Sequence, residues 1–429
     1  MKIAMYNLTT TCRYGGVETF VWEVSRELAR RGQEVHIYGG KGDIIHSIPN
    51  VSVRLFPFWR RERVPNLGRR FRKLAERWSM AVVALSPLIR QRYDIFHIHK
   101  PFDLPVGWMV KKFGRTKLIL GSHGTDFFAG DRVFARRVDG AVSCSDYNRE
   151  LVRRRYGINP DVIYNGIDPQ AFHPFSSPDE ELRQKYSLAP EDRVILYVGR
   201  LIGLKGLPAL LRSFSLLQNR RGVKLLIVGD GEGKNAFQTL ARRLGIGPQT
   251  LWAGFVPHAQ TPRYYSLASI AVCPSLADEA FGISICEAMA CGLPVVASRV
   301  GGVPELSLHG ETGFLVQAGN EQDLAEGMGT LLEDDSLRRK MGTQAAQRVR
   351  EFFTWERVVD RLMKVYDRLL PESMTGEKSS RPEWGGIPCS PPAEKRPPNL
   401  GRALSEKEIA ERMSGFGGSL GHEEEHVFP

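Results

Sequence analysis

Two carboxylates in the stretch EAFGISICE, Glu279 and Glu287, have the type and spacing to do chemistry. Between them lies a Phe-Gly turn, Phe281-Gly282. Ile283, Cys286, Met289 and Ala290 recur at helical spacing, which predicts a helix beginning at Gly282. A helix start offers unpaired N–H groups and the positive end of the peptide dipoles, which suits a phosphate. One carboxylate before that start and one inside the helix would hold the two ends of a nucleotide-sugar, with its phosphates between them. Taken alone, the spacing reads first as a solvated loop glutamate followed by a helix-face glutamate. The surrounding elements have to decide.

Those elements alternate strand and helix along most of the chain. Lys2–Leu8 reads as a buried strand. It runs into a loop ending in Gly15-Gly16, a helix to about Arg31 and a second strand, Glu34–Tyr38. This is a Rossmann-like start, although it lacks the G-x-G-x-x-G pattern. The glycine pair would let the backbone approach a ligand, or simply make a tight strand-to-helix turn. Further strands are predicted at Asp94–His99, at Lys117–Asp126, which ends in Ser122-His123-Gly124-Thr125-Asp126, and at Gly140–Ser145. In open α/β sheets ligands gather outside the carboxyl ends of strands. His97, His99, His123 and Asp126 fall at such ends; His97 and His99 read equally as structural.

Residues 169–190 are proline-rich and read as a linker with a short helix. The alternation resumes at Arg193–Arg200. Arg200 stands at a strand end, and Lys205 follows before a helix at 208–217. Two such cations suit a diphosphate leaving group without a metal, or are surface charges. Later strands are predicted within 224–233, where one runs into a glycine-rich loop, within 250–257, where a short one meets a turn, and at 270–275, 294–298 and 313–316, then helices to Leu370.

Composition sets bounds. The 429 residues are 42% hydrophobic, enough for two domains, and the formal net charge is +11. Residues 371–429 hold 7 Lys/Arg against 10 Asp/Glu, so the preceding residues carry +14. A basic body suits nucleotide phosphates, an anionic membrane or nucleic acid. The six cysteines form no Cys-x-x-Cys and no zinc pattern, which fits a reducing compartment and a cytoplasmic location. No stretch reads as a signal peptide or a membrane span. The stretch 59–92 carries ten Arg or Lys against two Glu, with Phe71, Leu74, Trp78 and Val82 at helical spacing. It reads as a basic amphipathic helix that either packs on its own domain or lies on an anionic membrane surface. No nucleic-acid-binding module accompanies the charge. After Pro371 the composition reads as a disordered tail, with a capping-box pattern at Ser405–Glu408.

The ordered pieces GGVE (15–18), FHIH (96–99), HGTD (123–126), NGID (165–168), VGRL…KG (198–206), GDGEG (229–233), EAFGISICEAMACGLPVVAS (279–298) and GGVPE (301–305) carry a resemblance. Together they resemble the retaining GT-B-fold glycosyltransferases of family 4, also called group 1. The resemblance spans about 1–370. It implies an α/β fold of two facing Rossmann-like domains with a cleft between them and a C-terminal helix crossing back. The expected boundaries are an acceptor domain at 1–170, a linker at 171–190, a donor domain at 191–350, the returning helix at 351–370 and the tail at 371–429.

By that resemblance His123, Glu279, Arg200 and Lys205 are the catalytic group. Gly16, Arg200, Lys205, Gly282, Ile283, Ser284 and Glu287 bind the donor, with Glu287 on the ribose, Glu279 on the transferred sugar and Arg200 and Lys205 on the diphosphate. His99 and Asp126 are expected on the acceptor side. No metal or other cofactor is expected, because the nucleotide-diphospho-sugar is a substrate. The implied reaction is sugar transfer to an acceptor hydroxyl with retained anomeric configuration, in cell-surface glycan or glycolipid synthesis. The acceptor would be a glycan, a lipid-linked sugar or a small molecule. A non-catalytic nucleotide-sugar-binding protein of the same fold and a nucleotide-sugar epimerase are the alternatives.

Overall fold

The computed structural model describes residues 1–370 apart from Asn66, Thr125 and the side chain of Arg69. The expectations for the 371–429 tail, including the Ser405 helix start, and for Cys389 lie outside the described residues. The chain divides into two units. One holds Met1–Gly166 and takes up the chain again at Phe352; the other holds Ile167–Glu351.

The first unit alternates strand and helix: β1 (Lys2–Tyr6), α1 (Gly16–Arg30), β2 (Glu34–Gly40), β3 (Val51–Phe56), α2 (Arg69–Arg90), β4 (Ile95–Ile98), α3 (Leu104–Gly114), β5 (Lys117–Ser122), α4 (Asp131–Ala135), β6 (Gly140–Ser143), α5 (Asp146–Tyr156) and β7 (Asp161–Val162). Its sheet has the order β3-β2-β1-β4-β5-β6-β7, with every pairing parallel. Central strands such as Lys2–Tyr6 and Ile95–Ile98 are near-continuous buried runs, as expected where helices cover both faces.

The second unit repeats the plan with α6 (Glu180–Lys185), β8 (Arg193–Val198), α7 (Leu207–Leu216), β9 (Val223–Val228), α8 (Lys234–Arg243), β10 (Thr250–Gly254), α9 (Thr261–Tyr265), β11 (Ile270–Cys273), α10 (Ile283–Ala290), β12 (Val295–Ser298), α11 (Val303–Leu306), β13 (Gly313–Val316), α12 (Glu321–Glu333) and α13 (Asp335–Phe352). Its parallel sheet runs β10-β9-β8-β11-β12-β13.

Both sheets therefore change direction of winding beside their first strand, at β1/β4 and at β8/β11. In this architecture ligands usually bind outside the carboxyl ends of the strands beside such a reversal. A groove lined by Arg193, Leu217, Val223 and Gln322 begins instead at the amino ends of β8 and β9.

The last helix, α14 (Trp355–Leu369), belongs to the first unit although the whole second unit precedes it. The Thr354 hydroxyl caps its start by accepting from the Arg357 N–H. Trp355, Val358, Val359, Leu362, Val365 and Tyr366 share one core with Phe20, Val24 and Leu28 of α1 and Ile3 of β1.

Helix α2 is shorter than the basic stretch that predicts it and turns an unexpected face inward. Met80, Ala84 and Leu88 lie in the core, and Glu76 and Arg77 are buried beside them. The stripe made by Phe71, Trp78 and Val82 faces outward, with exposures of 43%, 49% and 75%. Trp59 and Leu67, just before the helix, are exposed as well. Periodicity finds both stripes and cannot say which one is covered.

Candidate active site

Loops following β8, β11 and β12 are stitched together where the second sheet reverses. The Leu276 N–H donates to the Leu204 carbonyl (2.9 Å), and the Gly302 N–H donates to the Glu279 carbonyl (2.8 Å). Gly301 permits the second approach. Its φ is +52°, and a Cβ placed there would lie 2.1 Å from the Glu279 carbonyl oxygen. Any side chain at that position would displace Glu279.

Within this junction Glu279 accepts from the Lys205 ammonium and from Ser275 Oγ, the latter at 2.6 Å. Lys205 ends a short 3-10 turn just ahead of α7. Both side chains of the pair are largely shielded, at 27% and 15% exposure. Charges so placed interact more strongly than a solvated pair. The sequence assigns these residues to different parts of a donor; the structure joins them as partners. Arg200 is exposed, and its carbonyl accepts from the Tyr197 hydroxyl (2.9 Å), which fixes the backbone at the end of β8. Burial, reinforced by Glu279, pushes the nearby Cys273 thiol up to about 11, so it is not a nucleophile at neutral pH.

Gly282 caps α10 in the left-handed region at φ +97°. Gly282, Ile283 and Ser284 are half-buried, so the N–H groups of this first turn are not sealed in the core. One turn on, Glu287 is buried. Its Oε1 meets His258 Nε2 and its Oε2 accepts from the Tyr265 hydroxyl, each at 2.7 Å. His258 leans on Phe172, with ring centroids 5.4 Å apart. A carboxylate has about four lone-pair sites, so these contacts orient Glu287 and leave it able to accept further hydroxyl groups.

In the first unit, Gly16 opens α1 and is exposed. Behind that helix start Glu18 accepts from the Thr9 hydroxyl. His97, His99 and His123 form one stack across the ends of β4 and β5. Ring centroids lie 4.3 Å apart for His97–His99 and 5.5 Å for His99–His123, and Phe20 packs edge-on against them. His99 Nδ1 meets His123 Nε2 at 3.2 Å, and His97 Nδ1 meets the Tyr366 hydroxyl at 2.7 Å.

The acceptor-side expectation for His99 is corrected here. His99 is 0% exposed and enclosed by other rings, so it cannot touch an acceptor. Asp126 accepts from Lys73 (2.9 Å) and Lys100 (3.0 Å), ion pairs that tie α2 to the loop after β5. These two cations, with burial opposing them, hold its carboxyl below the usual range.

The histidine stack has a consequence for acid stability. Burial pushes His97 and His123 down to about 3 and lowers His99 as well. An unfolded histidine titrates near 6.5. Groups held neutral in the fold favour it above that value and oppose it as pH falls from there toward about 3. Denaturant titrations should therefore show the first unit losing stability steeply between about pH 6.5 and 4, and a His97→Phe variant should show a shallower loss.

Sequence reasoning missed Ser275, His258 and Tyr265. Ser275 follows the end of β11, where the strand-end rule could have found it. His258 and Tyr265 lie 29 and 22 residues from Glu287 and carry no motif that signals the contact.

Comparisons with known proteins bear on the family and the fold. The family model described as "Glycosyltransferase Family 4" matches residues 14–171, and the one described as "Glycosyl transferases group 1" matches 178–348. D-inositol 3-phosphate glycosyltransferase of Corynebacterium diphtheriae is 29% identical over 412 residues, covering 85% of this chain and 94% of that one. In fold the chain resembles sucrose-phosphate synthase from Thermosynechococcus elongatus, with a TM-score of 0.73, 22% identity and coverage of 86% and 98%. It also resembles Anabaena HepE, whose structure holds UDP and glucose, with a TM-score of 0.70, 22% identity and coverage of 86% and 99%. Both are GT-B glycosyltransferase folds.

Proposed function

Because this chain belongs to the group 1 glycosyltransferases, we propose that it moves a hexosyl group from a nucleoside-diphosphate-sugar to an acceptor hydroxyl with retained anomeric configuration. The observation that carries the reading is the Lys205–Glu279 pair beside the Gly282 helix start, at the reversal point of the second sheet. Lys205, Arg200 and the first turn of α10 meet the charge of the departing diphosphate, so the reading needs no metal. Glu287, held by His258 and Tyr265, accepts from the ribose hydroxyls. The presence of UDP in the HepE structure makes UDP-sugars the first donors to try.

In this mechanism the C1–oxygen bond to the diphosphate breaks as C1 gains oxocarbenium character. The acceptor oxygen bonds C1 from the same face, and its proton passes to a diphosphate oxygen. The anomeric configuration of the product, read by NMR, tests this. An inverted product, or a covalent sugar on a carboxylate, overturns the front-face reading. Donor consumed without any acceptor would instead indicate an epimerase. Donor bound but never consumed would indicate a regulatory protein.

The acceptor, in this reading, is displayed at an anionic membrane, with the protein cytoplasmic and peripheral. Among the described residues no helix is long and apolar enough to cross a membrane. Support comes from the outward stripe of α2, Phe71, Trp78 and Val82, with exposed Arg60, Arg63 and Arg70 close by in the chain. Apolar rings enter the headgroup region while each cation adds about 1 kcal/mol near an anionic surface. Vesicles containing anionic lipid should sediment the protein at low salt, and a Trp78→Ser/Val82→Ser variant should remain in solution. Equal binding by both proteins would remove the stripe from the account. A second reading, a small phosphorylated acceptor, is favoured by the name of the corynebacterial relative and by the half-exposed Lys73 and Lys100. Transfer to a free polyol phosphate with no vesicles present would select it.

A further inference from the structure

Helix α13 buries one stripe, with Met341, Ala345 and Val349 along it. Arg348 stands on the same side of the helix and is only 8% exposed. A buried guanidinium is costly unless its N–H groups are met, and an apolar side chain of similar length would fill the space without that cost. The N–H groups of Arg348 go to main-chain carbonyls. Nε donates to the Leu306 carbonyl at 2.9 Å, and one Nη donates to the Glu305 carbonyl at 2.8 Å. These carbonyls close α11, a helix of four residues. Carbonyls in the last turn of a helix have no partner within it, and a helix so short does not hold itself. Arg348 supplies the missing anchor.

The other end of α11 is the Glu279 clamp. The Gly302 N–H, immediately before the helix, donates to the Glu279 carbonyl at 2.8 Å, and Gly301 has no room for a side chain against that oxygen. Gly302, Val303, Glu305 and Leu306 are buried, so the segment between the two anchors is packed and does not bend freely. Four helical residues span only about 6 Å. Helix α13 also braces α10. A Cβ on Gly342 would lie 2.1 Å from the Gly292 carbonyl oxygen, just past the end of α10. Burial raises the Cys286 thiol in the middle of α10, Glu287 adds to the rise and the Arg348 cation opposes it, so Arg348 lies close to α10 as well as to α11.

We infer that Arg348 is a positioning residue: by anchoring α11 from behind it holds the Glu279 backbone, and with it the Lys205–Glu279 pair, in place. Its effect on the reaction passes through Glu279 alone. The inference rests on the glycosyltransferase reading for what Glu279 does, but not for the link from Arg348 to Gly302.

An Arg348→Lys variant keeps the cation, but a single ammonium does not reproduce the fork that grips two carbonyls. Hydrogen exchange reads the link without turnover. In wild type the Gly302 amide should exchange as slowly as the amides of β12. In Arg348→Lys it should exchange about tenfold faster, the worth of one hydrogen bond, while the β12 amides keep their rates. Turnover reads the consequence. At a temperature where the variant is fully folded, kcat should fall about tenfold, with KM for the nucleotide donor little changed. In a Glu279→Ala background the same change should cost little more, because both act through one residue. Lower stability with wild-type kcat overturns the inference, and so do losses that multiply in the double variant. A Gly302 amide that exchanges in wild type as fast as an exposed loop also overturns it, which decides even if Arg348→Lys fails to fold. Failure of the underlying reading appears separately, as wild-type kcat in Glu279→Ala or as absent nucleotide-donor turnover.

Discussion

Replacing Lys205 by alanine is expected to lower kcat about 10²- to 10³-fold, the usual loss when one aimed cation or donor is removed from a developing negative charge. The effect is large because the site is prepared before the reaction. Lys205 is held by Glu279, which Ser275 and the Gly302 N–H hold in turn. The cation therefore pays little reorganisation when the diphosphate departs. Arginine at this position should rescue poorly, since a planar guanidinium does not reproduce the compact point charge of an ammonium. Glu279→Gln keeps a hydrogen-bonding group beside Lys205 but removes its charge. If Glu279 mainly positions Lys205, Glu279→Gln should retain more activity than Lys205→Ala. Assays of nucleoside diphosphate release under saturating donor separate the two. Near wild-type kcat in Lys205→Ala would show that the diphosphate is met elsewhere.

Replacing Arg77 by methionine is expected to destabilise the first unit by about 3–5 kcal/mol. Arg77 and Asp103 form a buried ion pair, at 7% and 1% side-chain exposure, and Arg77 also donates to Asn7 Oδ1 (3.2 Å). Truncating the cation leaves Asp103 charged in a place that burial already makes unfavourable for it. The cost is the stranded carboxylate and not the lost attraction. A double change, Arg77→Met with Asp103→Leu, should therefore recover most of the loss. Denaturant unfolding of the three variants measures this. A single variant within about 1 kcal/mol of wild type would contradict it. The pair lies where α2 meets the turn ahead of α3, so it also holds the outward stripe of α2 in place.

The fold was legible in the sequence because buried parallel strands are short apolar runs punctuated by glycine, and strands such as Arg193–Val198 and Ile95–Ile98 stand out as such. The stretch around Glu279 was legible for a different reason. Glu279, Gly282 and Glu287 sit on one continuous loop and helix, so local spacing preserves their relation. What stayed hidden depended on contacts between distant segments. Parallel pairing of β4 with β5, in register His97 to Ile119, is what brings His99 against His123. No spacing within either strand reports it. For the same reason His99 looked like a strand-end ligand group and proved to be interior. The stripe of α2 was visible, but its direction was not, because the alternative set of Met80, Ala84 and Leu88 is equally periodic. Lys205 and Glu279 were both found, while their pairing across 74 residues was not.

The central claim is that Lys205, the Gly282 helix start and Glu287 form one nucleoside-diphosphate site. Thermal unfolding of wild type, Lys205→Ala and Glu287→Ala with UDP and a panel of other nucleoside diphosphates tests it most directly, since a ligand held at 100 times its Kd adds about 2.7 kcal/mol to the state that binds it. The account predicts that one nucleoside diphosphate raises the wild-type Tm by several degrees, that its monophosphate does much less, and that both variants lose most of the shift. The same shift in wild type and both variants, or no shift with any nucleoside diphosphate, would contradict it.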